Sequence, residues 1–116
     1  MATIKSYTDI EQSKKLAEIM PLESADMYYN LAESKIPNFI VGSHSDYICY
    51  IPCWSLAALL DVLSLPDLIQ DKAGDELFWQ CSVYDEDGNS LCETYDNNPV
   101  DVCVAMIEKL HELNLL

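Results

Sequence analysis

Hydrophobic positions change their period along this chain, and the changes outline its fold. Near the start, Leu16, Ala17, Ile19 and Met20 line one side of a helix with 3.6-residue spacing. Thr8, with Glu11 three residues on, has the form of a capping box, and Pro21 closes the segment. From Ser24, the residues Met27, Tyr28, Leu31 and Ala32 again share a helical side, with Asp26 near the positive end. This predicts a second helical stretch ending at Pro37.

The period then shortens. Phe39-Ile40-Val41 and Tyr47-Ile48-Cys49-Tyr50-Ile51 are β-rich runs on either side of Gly42-Ser43-His44-Ser45-Asp46, which predicts a hairpin. Leu56, Leu59, Leu60 and Leu63 return to helical spacing behind Ser55, a favoured N-cap, so a helix should run from there and stop before Pro66. Asp67 to Glu76 is polar and predicts a loop. Leu77, Trp79, Cys81 and Val83 alternate, and Leu91 to Tyr95 follow beyond Asp87-Gly88, the pattern of a second hairpin. Asn98 as cap, Pro99 with its preset φ and Asp101 near the positive end open a final helix whose buried side is Cys103, Met106, Ile107 and Leu110.

Residues 39–64 and 77–113 thus each read as hairpin then helix. The predicted fold class is α+β: an antiparallel sheet of two hairpins in a ββα-ββα pattern, helices packed on one face, preceded by an N-terminal helical segment. Residues 1–116 suit a single domain, since a chain of this size buries roughly two thirds of the surface it exposes unfolded. Half of the residues are hydrophobic, spread from end to end, which is the composition of a folded chain.

Charge narrows the partners. Twenty Asp and Glu stand against six Lys with no Arg, giving a net charge of −14. A field of that sign repels phosphate backbones and anionic membranes, and the bidentate clamp for phosphate and guanine is missing. The expectation is no direct nucleic-acid binding, no membrane association, and a basic protein partner if there is one. The first thirty residues hold no apolar run of the ~7–15 residues a signal peptide needs. The run Leu56–Leu60 is far below the ~20 residues of a membrane span. A cytoplasmic protein is expected, in which Cys49, Cys53, Cys81, Cys92 and Cys103 are reduced and mostly buried.

Several constellations invite a chemical reading. Ser43-His44-Ser45-Asp46 holds the residue types of a hydrolase triad, but neighbours in sequence point apart, and no G-x-S-x-G elbow is present. Cys49-x3-Cys53 with His44 matches no strong zinc spacing. Cys53 activated by His44 or His111 would need the base brought close in space. Asp85 to Ser90 resembles the start of a calcium loop, yet the sixth and twelfth positions hold Ser90 and Asp96 in place of Gly and Glu. No catalytic, cofactor-binding or metal-binding residue is assigned. Tyr28, Tyr29, Tyr47, Tyr50 and Trp54 form a dense aromatic set, read either as an interaction surface or as rings that cover the sheet and hold the helix after Trp54.

The stretches TDIEQSKKLAEI (8–19), ESADMYY (23–29), IPCWSLAALLDVL (51–63) and NNPVDVCVAMIEKLHELNLL (97–116) resemble an uncharacterised family of small acidic proteins from prophages and mobile elements of gut anaerobic bacteria. IPCWSL and the NPVD helix start carry most of the likeness. The resemblance implies no known activity. With it, the leading expectation is a non-enzymatic phage or mobile-element accessory protein that needs no cofactor and acts through protein–protein contact with a basic host or phage protein. Three alternatives stand beside it: an acidic DNA mimic that occupies a basic host protein, a small ligand-binding domain or enzyme using the Tyr28/Tyr50/Trp54 region, and a homodimer formed through a hairpin edge or the Leu113–Leu116 tail.

Overall fold

The structure is a computed structural model that describes residues 5–64 and 66–116. Helix α1 (Ile10–Ala17) starts one residue later than the Thr8 signal suggests. Asp9 is the N-cap: its Oδ1 accepts from the Gln12 amide at 2.8 Å, and Gln12 Oε1 accepts from the Asp9 amide at 3.0 Å. Thr8 lies inside, where its hydroxyl pairs with Ser13 Oγ at 2.8 Å and accepts from the Trp54 amide at 3.1 Å. A buried hydroxyl must keep its partners, so the cap passes to the exposed Asp9.

The stretch from Ser24 to Pro37, expected to be helical, is a 3-10 turn (Leu22–Ser24) followed by strand β1 (Met27–Tyr29) and turns. β1 is the centre of a three-stranded antiparallel sheet, with β2 (Asn38–Phe39) on one edge and β3 (Ile51–Cys53) on the other. Phe39 and Cys53 both face Met27, so the two runs read as one hairpin do not pair with each other. Over three residues, periods of 2 and 3.6 are hard to separate. Pairing on both sides decides the outcome by burying Met27 and Tyr29 and turning Tyr28 to the opposite face.

Helix α2 (Leu56–Val62) forms as expected, with the Ser55 hydroxyl accepting from the Ala58 amide at 3.2 Å. Asp67 to Glu76 departs from expectation: residues Asp67–Ala73 are strand β4, not a loop. Its partner β5 (Glu76–Tyr84) begins after the two-residue turn Gly74-Asp75, with φ +65° at Gly74. That conformation favours glycine at the first central position of a tight hairpin turn. β6 (Ser90–Asp96) completes a second antiparallel sheet in the order β4-β5-β6, and helix α3 (Pro99–Glu112) returns across β5 and β6. Asn98 caps α3 by accepting from the Val100 amide at 2.9 Å, with Pro99 at the first helical position.

The α+β class, the antiparallel pairing and the N-terminal helix therefore stand, distributed over two three-stranded sheets. The main core gathers Leu16, Trp54, Leu59, Cys81, Met106 and Ile107, drawn from every helix and the larger sheet. A smaller cluster of Met27, Tyr29 and Cys53 lies between the smaller sheet and the start of α1. The chain around Thr8 joins the two: its amide donates to the Trp54 carbonyl at 2.9 Å, and the Leu56 amide donates to the Ser6 carbonyl at 3.0 Å. Lys5 ties this segment to α3 through Asp101 at 2.8 Å while also reaching Asp9 at 3.1 Å. Burial works against the Lys5 charge, but hydrogen bonds to Asp101 and Asp9 outweigh it and raise its pKa.

Candidate functional site

The smaller sheet divides the five aromatic residues into two groups. Tyr29 points inward, where its hydroxyl donates to the Thr8 carbonyl at 2.7 Å. Burial, followed by the nearby Cys53, pushes its phenol well above the usual range. Trp54 is 0 % exposed, and its ring nitrogen donates to Ser24 Oγ at 2.9 Å. These two residues are core, on the side of the sheet away from Tyr28 or beneath it, and are not part of an exposed surface.

Tyr28, Tyr47 and Tyr50 meet on the other side of the sheet. Tyr28 stands on β1 opposite Asn38 and Pro52. The Ser43-capped 3-10 turn His44–Tyr47 folds back so that the Tyr28 and Tyr47 ring centroids lie 4.6 Å apart. Tyr50 completes the triangle at 5.3 Å from Tyr28 and 6.3 Å from Tyr47, all three pairs tilted, within the range at which aromatic rings attract. The Tyr47 hydroxyl donates to the Val41 carbonyl at 3.1 Å and accepts from the Val41 amide at 3.2 Å, which fixes the loop under the cluster. His44 anchors the same turn through its Nε2, 2.8 Å from the Ala25 carbonyl.

The cluster is open to solvent at Tyr50, which is 38 % exposed. The same stretch of chain leaves Phe39, Val41 and Ile48 outside, Val41 at 77 %. Concentrated exposed apolar groups of this kind mark contact surfaces more often than chance. Beside them runs an open groove of about 510 Å³ whose lining residues include Phe39, Ile40, His44, Glu23, Asp26 and Asp61.

The residues weighed for catalysis are placed differently. Ser43 and Ser45 share a hydrogen bond of 2.8 Å with each other while His44 turns to a carbonyl, so the loop does not assemble a triad. Burial pushes the Cys53 thiol up, against hydrogen bonds from Thr8, Ser13 and Tyr29. An activated nucleophile needs the reverse shift. Asp85 Oδ1 accepts from the amides of Asp87 and Asn89, each at 2.9 Å, which closes the hairpin loop between β5 and β6. Among the described residues, no group of three or more His, Cys, Asp or Glu side chains is arranged to hold a metal ion. Nor is any helix among them long and apolar enough to cross a membrane.

Comparisons with protein-family models, with curated proteins and with solved structures find no match for this chain. The site is therefore defined by its geometry: ring faces, two tyrosine hydroxyls at Tyr28 and Tyr50, exposed aliphatic neighbours and an acidic groove. Exposed ring faces and hydroxyls together offer apolar area and hydrogen bonding at one surface.

Proposed function

We propose that this chain is a non-enzymatic accessory protein of phage or mobile-element type that acts by binding another protein through the Tyr28/Tyr47/Tyr50 surface. The carrying observation is the tyrosine triangle held on a three-stranded sheet and open at Tyr50, with exposed Val41 and Ile48 in the same stretch of chain as Tyr47. Tyrosine suits such a role because it brings a large contact area and a hydroxyl while losing little side-chain freedom. The acidic groove alongside favours a partner with basic residues at the rim of the contact. The phage attribution rests on the likeness of the 8–19, 23–29, 51–63 and 97–116 stretches.

The test is a comparative pull-down from a bacterial lysate with the wild-type chain and a Tyr28→Ser/Tyr50→Ser variant. A protein retained by the wild type and lost by the variant supports the reading. Equal retention by both, with the variant shown to be folded by circular dichroism, removes this surface as the contact. The DNA-mimic alternative predicts in addition that the captured protein is a nucleic-acid binder displaced by duplex DNA.

A further inference from the structure

The register of the larger sheet determines which side chains share the face turned away from α3. Leu68, Trp79, Cys81, Val83 and Cys92 pack into the core. Residues of the opposite parity point outward, because directly opposed residues of antiparallel strands project to the same side. Across the strands they form rows: Asp67 and Glu93 on either side of Ser82, which is itself buried beneath its neighbours; then Ile69, Gln80 and Tyr95; then Asp71 and Phe78; then Ala73 and Glu76.

This outward face has an apolar centre and acidic ends. Ile69 is 51 % and Tyr95 56 % exposed, and the rings of Phe78 and Tyr95 lie 6.2 Å apart. The Tyr95 hydroxyl donates to Glu93 Oε2 at 2.8 Å, an interaction that holds both side chains and keeps its phenol above the usual range. Asp67 and Glu93 flank one end of the apolar strip; Asp71 lies beside Phe78 about 13 Å along the strand, and Glu76 closes the other end about 20 Å away at the rise of an extended strand. These rows contain no Lys or His; Lys72, on the same sheet, is paired with Leu77 in the other parity.

We infer that this sheet face is a docking surface for a basic, arginine-bearing segment of another protein. Charge complementarity identifies the occupant. Among the described residues no ion pair reaches these four carboxylates, which match a positively charged segment, and aromatic faces between them match the flat guanidinium, which stacks on rings and pairs with carboxylates at its edge. A second copy of this chain is the wrong occupant, because it would set the same carboxylates against one another in a chain already at −14. The inference concerns a surface separate from the tyrosine triangle, so either can fail alone.

The test is fluorescence anisotropy of a fluorescein-labelled peptide of alternating arginine and serine, titrated with the full chain. The wild type should bind it in low salt and lose about tenfold in affinity when sodium chloride is raised past about 0.3 M, where the screening length falls well below the span of the site. Asp71→Asn/Glu93→Gln and, separately, Phe78→Ser/Tyr95→Ser should each weaken binding by about tenfold, while Glu11→Gln/Glu108→Gln leaves it unchanged. The corresponding lysine peptide should bind more weakly, because it cannot stack in the same way. If the aromatic variant unfolds, amide shift mapping on the wild type decides: perturbations centred on Ile69, Phe78, Gln80 and Tyr95 support the inference, and perturbations elsewhere overturn it. Absence of binding in low salt also overturns it, as does an equal loss from Glu11→Gln/Glu108→Gln away from this sheet, which would reduce the effect to general acidity.

Discussion

Asp26 receives two hydrogen bonds from Ser55: the backbone amide donates to Oδ1 at 2.9 Å, and the hydroxyl donates to Oδ2. The same serine oxygen caps α2, so one carboxylate just before β1 positions the start of a helix nearly thirty residues away in sequence. Asp26→Ala should lower stability by about 2–3 kcal/mol, the range expected when charged hydrogen bonds supporting a cap are lost. Asp26→Asn, which keeps an acceptor, should lose about half as much. Urea unfolding with an unchanged m-value reads both; a loss below about 0.5 kcal/mol for Asp26→Ala would show that this pair does not hold the helix start.

The division of the aromatic residues predicts two different mutational costs. Trp54→Ala should cost about 3–5 kcal/mol, since a fully buried large ring leaves a cavity and frees the Ser24 hydroxyl from its donor. Tyr50→Ala removes a partly exposed ring and should cost about 1 kcal/mol or less. Denaturant midpoints in that order are expected, and equal losses would contradict the assignment of Trp54 to the core and Tyr50 to the surface.

Thiol reactivity should follow burial. Cys49 is exposed, whereas Cys53, Cys81, Cys92 and Cys103 are buried. Brief iodoacetamide treatment of the native chain at neutral pH should therefore add one label, at Cys49, and the remaining four should react only after unfolding in denaturant. Intact-mass spectrometry followed by peptide mapping checks this. Early labelling of Cys53 would contradict its burial and its raised pKa.

Alkaline pH should destabilise the fold. Burial raises the Tyr29 phenol above its ordinary 10.0 and the Cys53 thiol above its ordinary 9.0. The unfolded chain releases these protons at lower pH than the folded chain does. Their contribution is thus complete below about pH 9 and is lost as pH rises beyond it. Melting temperature should be level from about pH 7 to 8.5 and fall steadily towards pH 11. Tyr29→Phe should make that fall shallower, and a level profile up to pH 11 would show that these groups titrate as freely in the folded chain as in the unfolded one.

Much of the fold was legible where one residue type satisfied a local rule. Ser55 and Asn98 cap the helices they announce, Pro99 sits at the first helical position, and the alternation of Leu77, Trp79, Cys81 and Val83 marks β5. A short segment that satisfies two local rules is not legible in this way. Met27, Tyr28, Leu31 and Ala32 fit a helical side, yet the strand forms because β2 and β3 flank it. The Gly74-Asp75 turn was the signal that could have shown β4, and the charged residues Asp67, Asp71, Lys72, Asp75 and Glu76 masked it.

The sequence by itself determined the α+β class, the positions of α2 and α3, the β5–β6 hairpin and the strong negative charge, because capping, proline and alternation act over a few neighbouring residues. Only the tertiary structure decided that Tyr28, Tyr47 and Tyr50 form a surface while Tyr29 and Trp54 are core, and that Ile69, Phe78 and Tyr95 share an outward face. Those outcomes depend on strand register. A shift of one residue exchanges the two faces of a strand, and register is set by partners distant in the chain.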